Sequence, residues 1–309
     1  QRQMCIRDRM KKANILATAV LATLLAACSN DSDVLNTPDY ADTPIGLNVN
    51  VGPMATRAGY DNTNLTGSSF GLYLTTEGTN SDERYNCTNL EVIYNNGWTF
   101  KYGEQLLWKS NDAKVTYNAY MPRTHVYNED SYTFTVQTDQ SNENNVKASD
   151  LLWTGGRQDA TAGKALDINF KHALSKLNVT LTKGSELEDG VTFTSVKLSN
   201  CATKIVVNLL EGTFGNTTNS GQTITLYATT ENEQYECILV PQTFNQTLKV
   251  EITDNYGKVY TFTSNKDLRF ASGEEYTLNL TVGRDKVTTG TISAESWGSE
   301  QQGGDLVTE

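Results

Sequence analysis

Residues able to do chemistry are few in this chain and widely spaced. His125 and His172 are its two histidines. His125 follows Pro122 in a polar loop, and His172 sits on the apolar phase of a strand-like run, where a hydrogen-bonded core imidazole is expected rather than a base or a metal ligand. Carboxylates are plentiful enough to supply a glycosidase pair, yet nothing singles out any two of them. There is no Gly-rich phosphate loop, no Gly-x-Ser-x-Gly elbow and no paired-cysteine metal spacing. The expectation is no catalytic residue, no metal ligand and no cofactor. Trp98, Trp108, Trp153 and Trp297 stack on sugars if they are exposed and fill a core if they are not.

Two other positions carry chemistry done to the chain rather than by it. Ile15–Ala27 is a mostly apolar run behind Lys11 and Lys12, too short to span a bilayer, and it ends in Leu25-Ala26-Ala27-Cys28. That ending resembles the lipobox of exported lipoproteins, in which the cysteine thiol is acylated and becomes the new N-terminus. Two or three acyl chains, at ~0.8 kcal/mol per buried methylene, would anchor Cys28 to a membrane. The acidic stretch Ser29-Asn30-Asp31-Ser32-Asp33 reads either as a surface-export signal or as a solvated tether. The second position is Arg57. No Lys or Arg occurs from Cys28 to Thr56, so the Arg57–Ala58 bond is the first that a trypsin-like protease can cut.

Between these two positions lies Ile45-Gly46-Leu47-Asn48-Val49-Asn50-Val51, apolar at every odd position, which is the period of a strand with one buried face. A cut after Arg57 would separate this strand from the body, so Ile45, Leu47, Val49 and Val51 are read as a removable plug. Four buried aliphatic side chains would hold it with about 6–12 kcal/mol. The remaining cysteines, Cys87, Cys201 and Cys237, are an odd number, and Cys237 shares the phase of Tyr235 and Leu239 as a small core hydrophobe. A Cys201–Cys237 bridge stays open as an alternative.

The elements that must position these residues are short strands. Leu90–Tyr94 and Trp98–Tyr102 flank Asn95-Asn96-Gly97, and Leu248–Thr253 and Val259–Thr263 flank Asp254-Asn255-Tyr256-Gly257, both with turn chemistry of hairpins. Val115, Tyr117, Ala119 and Met121 share one face. In Leu166–Leu181 the apolar phase changes from even positions to odd after Leu174, which requires a bulge, a kink or a passage from one sheet to another. Long amphipathic helical patterns are missing. The expected fold is all-β, with two antiparallel β-sandwiches in tandem.

Gln1–Arg9 fit no export pattern and are read as a gene-calling or sequencing artefact ahead of Met10. The expected organisation is a signal peptide at 10–27, a flexible tether at 28–44, an N-terminal sandwich at 45–182 with a removable segment at 45–57, and a C-terminal sandwich at 183–309. The charged, glycine-containing Lys183–Gly190 marks the boundary, and the C-terminal tail carries a weak alternation at Ile292, Ala294 and Ser296. The formal net charge is −11, and loss of residues 1–27 leaves 20 basic residues against 35 acidic, or −15. Such a surface repels phosphate backbones, so no nucleic-acid partner is expected.

The order of landmarks is itself informative. A lipobox, Thr56-Arg57-Ala58, Phe70-Gly71-Leu72-Tyr73-Leu74, Tyr117-Asn118-Ala119-Tyr120-Met121-Pro122, Ser149-Asp150-Leu151-Leu152-Trp153, Phe170-Lys171-His172-Ala173-Leu174-Ser175-Lys176-Leu177, Leu239-Val240-Pro241-Gln242-Thr243 and Ala271-Ser272-Gly273-Glu274-Glu275-Tyr276 together resemble the fimbrillin family, the Mfa-like or type V pilins. The resemblance implies two transthyretin-like domains and a lipoprotein precursor held at the outer membrane and cell surface through acylated Cys28. It further implies cleavage after Arg57 by a trypsin-like protease, donor-strand exchange with other fimbrial subunits, and a role in adhesion. The C-terminal tail would supply the replacement strand. The rival readings are a monomeric surface lipoprotein that binds glycans through exposed aromatics and, more weakly, a secreted hydrolase.

Overall fold

The computed structural model describes residues 39–52, 59–79, 82–101, 104–159 and 164–297. Cys28, Arg57, Ala58, the signal segment, most of the tether and the last twelve residues lie outside the described residues. The regular secondary structure of the described part is almost entirely strand, as the alternation requires, and it forms two hydrophobic cores.

The first core lies within a seven-stranded sheet. Its order is β1 (Leu47–Val51), β8 (Leu166–His172), β7 (Leu152–Asp159), β5 (Lys114–Met121), β2 (Ser69–Thr76), β3 (Cys87–Tyr94) and β4 (Trp98–Phe100). This sheet is curled. Among the described residues β7 joins β8 through two residue pairs, Leu152–His172 and Trp153–Lys171. β8 and β2 stand three strands apart, about 14 Å in a flat sheet, yet Phe170 and Phe70 meet edge to face at 5.3 Å. The β1–β8 pair therefore folds across the core toward β2 and β4. Val115, Tyr117, Ala119 and Met121 of β5 all face this core, as their shared phase predicts.

The second core fills a sandwich. One layer is β14 (Tyr227–Thr230), β15 (Gln234–Leu239), β9 (Ser175–Lys183), β20 (Glu274–Val282) and β21 (Val287–Ser296). The other is β13 (Gln222–Thr225), β10 (Phe193–Cys201), β17 (Lys249–Asp254) and β18 (Val259–Thr263). Leu177, Val179 and Leu181 from the first layer share the core with Val196, Leu198, Val250 and Ile252 from the second. A ribbon of β16 (Gln242–Asn245) and β19 (Asp267–Phe270) adds Phe244 and Phe270 to the same core. A small sheet, β12 (Thr213–Thr218), β11 (Lys204–Asn208) and β6 (Tyr132–Thr135), ties the halves together, because β6 comes from the first half and β11 from the second.

Both hairpins form where the turn residues place them, with Asn96 at φ 56° and Gly257 at φ 82°. The phase change in Leu166–Leu181 is a passage between sheets: β8 ends at His172, Ala173-Leu174 crosses, and β9 begins in the other layer. The sheets thus part ahead of Lys183. The charged 183–190 stretch is a mostly exposed connection between β9 and β10.

Two features differ from the sequence expectation. The sheets are not wholly antiparallel, since β1 pairs with β8 in parallel and β9 pairs with β20 in parallel. Alternation reports which face of a strand is buried and carries no information about the direction of a distant partner, and long connections permit either. The second is α1 (Glu143–Ser149), capped by Asn142 Oδ1, which accepts from Asn145 N–H, and seated by Val146 in the second core. Just before it, the fully buried Gln140 side chain takes the place of a missing strand neighbour, bonding both the N–H and the C=O of Ile238 at 2.8 Å.

Close packing makes one glycine testable. A Cβ on Gly71 would overlap the Asn89 side chain and the Tyr120 ring, whereas a Cβ on Gly46 would meet Ala165 at an ordinary 3.6 Å. Gly71→Ala should therefore cost about 2 kcal/mol in urea unfolding and Gly46→Ala close to nothing. Equal midpoints for the two variants would contradict this packing.

Candidate functional site

The sequence singled out the plug strand, and its place in the fold is an edge. β1 has β8 on one side and is the outermost strand of its sheet. Leu47, Val49 and Val51 register with Leu166, Ile168 and Phe170. The chain enters β1 through Thr43–Ile45, which pairs antiparallel with Leu106–Trp108: Ile45 N–H donates to Leu106 O and Trp108 N–H to Thr43 O, each at 2.8 Å. Leu166 N–H donates to Gly46 O at 2.8 Å where the pairing changes partner. The nine residues Thr43–Val51 therefore bridge β8 and the Leu106–Trp108 segment.

The alternation holds, with unequal teeth. Ile45 is 2% exposed and Val51 0%, while Leu47 and Val49 are half-buried against the same core. Two full burials and two partial ones contribute about 5–9 kcal/mol, less than four full burials would. The polar phase is used as well. Asn48 Nδ2 donates to Asp167 Oδ1 at 2.7 Å, and Asn62 closes the far end, accepting from Val51 N–H at 2.9 Å and donating to Asn50 Oδ1 at 2.8 Å. Asn62 belongs to the loop downstream of the Arg57–Ala58 bond, so the residues on the body side of that bond hold the last residue of β1.

The tryptophans are packed. Trp108 is 1% exposed; Trp98 meets Phe70 and Tyr94 edge to face; Trp153 donates to Leu209 O at 2.7 Å; Trp297 stacks on His172. The large exposed aromatics are Tyr127, beside His125 on its loop, and Tyr256 at a hairpin tip. His172 is buried and paired through Nδ1 with Asp150 Oδ1 at 2.9 Å. No group of three or more His, Cys, Asp or Glu among the described residues is placed to hold a metal.

Cys87, Cys201 and Cys237 are free thiols, so the Cys201–Cys237 bridge is not formed. Burial pushes the Cys201 thiol up to about 12 and the Cys237 thiol well above its ordinary value. A thiol that ionises so late is a poor nucleophile at neutral pH. Iodoacetamide at pH 8 should leave Cys201 and Cys237 unmodified in the native protein and label both in urea, as read by peptide mass mapping. Rapid native labelling of either would contradict their burial.

Sequence reasoning missed the extent of the C-terminal strand. The alternation at Ile292, Ala294 and Ser296 is the end of β21, a ten-residue edge strand paired antiparallel with β20 across a bulge. Its threonine-rich first half gave no apolar signal because it is mostly exposed.

The geometry defines a strand-built sandwich protein whose first strand is attached along one side only. Residues 56–297 match the fimbrillin-like family, and the chain belongs to that family. β1 lies just upstream of the matched span. No curated protein matches the chain. Two similar solved structures are candidate cell adhesion proteins. One, from Bacteroides uniformis, is 20% identical, with a TM-score of 0.61 over 82% of this chain and 99% of that one. The other, from Bacteroides ovatus, is 16% identical, with a TM-score of 0.65 over 84% and 100%. At such identity these two likenesses show the fold. Family membership makes the chain a fimbrial subunit of the cell surface, structural rather than enzymatic, that assembles with other fimbrial subunits.

Proposed function

We infer that the chain is made as a lipoprotein anchored to the outer membrane through acylated Cys28, is cut between Arg57 and Ala58 by a trypsin-like protease, and then polymerises by donor-strand exchange into a fimbria that serves adhesion. The observation that carries this reading is the position of β1, an outermost strand with its apolar teeth in the core and a single strand neighbour along its length. While covalently joined, β1 is an intramolecular ligand at high effective concentration; once cut, it can be diluted away. Its loss uncovers the apolar row Leu166, Ile168 and Phe170 and the free edge of β8, which a neighbour's extended segment can fill, main-chain bonds giving affinity and alternate side chains selectivity. The same reading takes the two halves as transthyretin-like sandwiches in tandem. It takes the C-terminal segment as the donor.

Limited trypsin treatment followed by native mass spectrometry tests it. The expected products are a body beginning at Ala58 and ladders of that body that survive mild detergent. A cut body that stays monomeric and retains residues 45–51 would overturn exchange at β1.

A further inference from the structure

Segments remote in sequence meet at one buried pair beyond the end of β1. Asp150, which follows α1, is fully buried, and His172, which ends β8, is 5% exposed. Asp150 Oδ1 lies 2.9 Å from His172 Nδ1. Asp150 Oδ2 accepts from Tyr60 N–H at 2.9 Å, and Tyr60 sits in the loop that follows β1. On the other side the imidazole lies flat on the Trp297 indole, with centroids 4.0 Å and planes 8° apart. Trp297 immediately follows β21, and its backbone N–H donates to Gly273 O at 2.7 Å. One carboxylate–imidazole pair thus holds the loop behind the first edge strand with one end and the terminus of the last edge strand with the other.

The seat of Trp297 is incompletely satisfied. His172 Nε2 and Trp297 Nε1 are both buried without a hydrogen-bond partner among the described residues. Water admitted there would satisfy both, which lowers the cost of vacating the stack. β21 is an edge strand with one paired side, so Trp297 is the fastening of its free end.

We propose that the Asp150–His172 pair couples the two edge strands: departure of β1 strips Asn62 of its bonds to Asn50 and Val51, loosens the Tyr60–Asn62 loop that Asp150 holds, unsettles the His172 ring beneath Trp297, and frees the C-terminal end of β21. This rests on the reading that β1 leaves, and it adds an order of events: a subunit offers its C-terminal strand only after it has given up its first. An uncut precursor keeps both edges occupied and stays inert toward its neighbours. Coupling of this kind is reciprocal, so loosening Trp297 must also loosen β1.

Hydrogen–deuterium exchange on the uncut full chain tests the coupling without any protease. Leu47→Asp with Val49→Asp, at two half-buried positions, displaces β1. Exchange should then rise about tenfold over Ala294–Trp297 as well as over β8, with β10 and β17 unchanged. Trp297→Leu in the otherwise native chain should raise exchange of β1 by a comparable factor. Should the double variant unfold globally, seen as rapid exchange in β10 and β17, the Trp297→Leu arm decides alone. Exchange over 294–297 within about twofold of the native chain while β8 opens, or β1 unmoved by Trp297→Leu, overturns the coupling. Failure of exchange-driven assembly itself is read separately, as a cut body that does not polymerise.

Discussion

An Arg57→Ala chain is expected to accumulate as full-length, unpolymerised lipoprotein, with polymer falling to background on detergent-resistant ladders. The reason is the spacing of cleavable bonds around the strand. No other Lys or Arg lies between Cys28 and Thr56, so no alternative trypsin-like cut on that side frees β1 from the body. Uncut, the strand is returned to its groove by the short connection to residue 59, and an incoming strand must compete with a tethered ligand held by about 5–9 kcal/mol. At the effective millimolar concentration of a short tether, displacement by a micromolar neighbour is disfavoured by about a further 4 kcal/mol. Arg57→Lys should restore both cleavage and polymer under a protease that accepts either residue. Ladders of undiminished yield from Arg57→Ala would mean that β1 is not what blocks assembly.

Val51→Asp is the second large effect expected. Val51 is fully buried opposite Phe170, and its N–H is already committed to Asn62, so a carboxylate there has apolar neighbours and no basic partner in the β1–β8 register. An unpaired charge in such a site costs about 3–5 kcal/mol. In urea unfolding the midpoint of the first half should fall accordingly, and the Arg57–Ala58 bond should be cut faster as β1 spends more time detached. Leu47→Ser, at a half-buried position near the start of the strand, should cost about 1 kcal/mol. Similar costs for the two would show that the burial gradient along β1 does not set its hold.

The contrast between β1 and the tail shows where sequence reasoning reaches and where it stops. The teeth of β1 were legible because four aliphatics alternate with glycine and asparagine, and burial follows that phase from Ile45 to Val51. The strength of each tooth was not, since Leu47 and Val49 are half open for lack of a second strand neighbour. β21 was nearly invisible, because an edge strand with a solvated face needs few apolar residues. His172 was read as a core histidine from its phase alone, but its partners Asp150, Tyr60 and Trp297 come from other parts of the chain. Lys176 is the sharpest case. Its phase places it on the outer face of β9, yet it is buried between Glu236 at 3.1 Å and Glu275 at 3.5 Å, on the strands either side.

By itself the sequence determined what is local: the all-β class, the buried face of many of the strands, the two hairpin turns, and the change of buried face within Leu166–Leu181. Those follow from side-chain period and turn stereochemistry, which act over a few residues. Only the tertiary structure decided that β1 runs parallel to β8, that it stands at an edge, that the sheet curls to bring Phe170 onto Phe70, and that the two ends of the body meet at Asp150 and His172. Strand order and direction are set by the packing of whole faces against one another, and alternation within a strand is the same whichever neighbour it has.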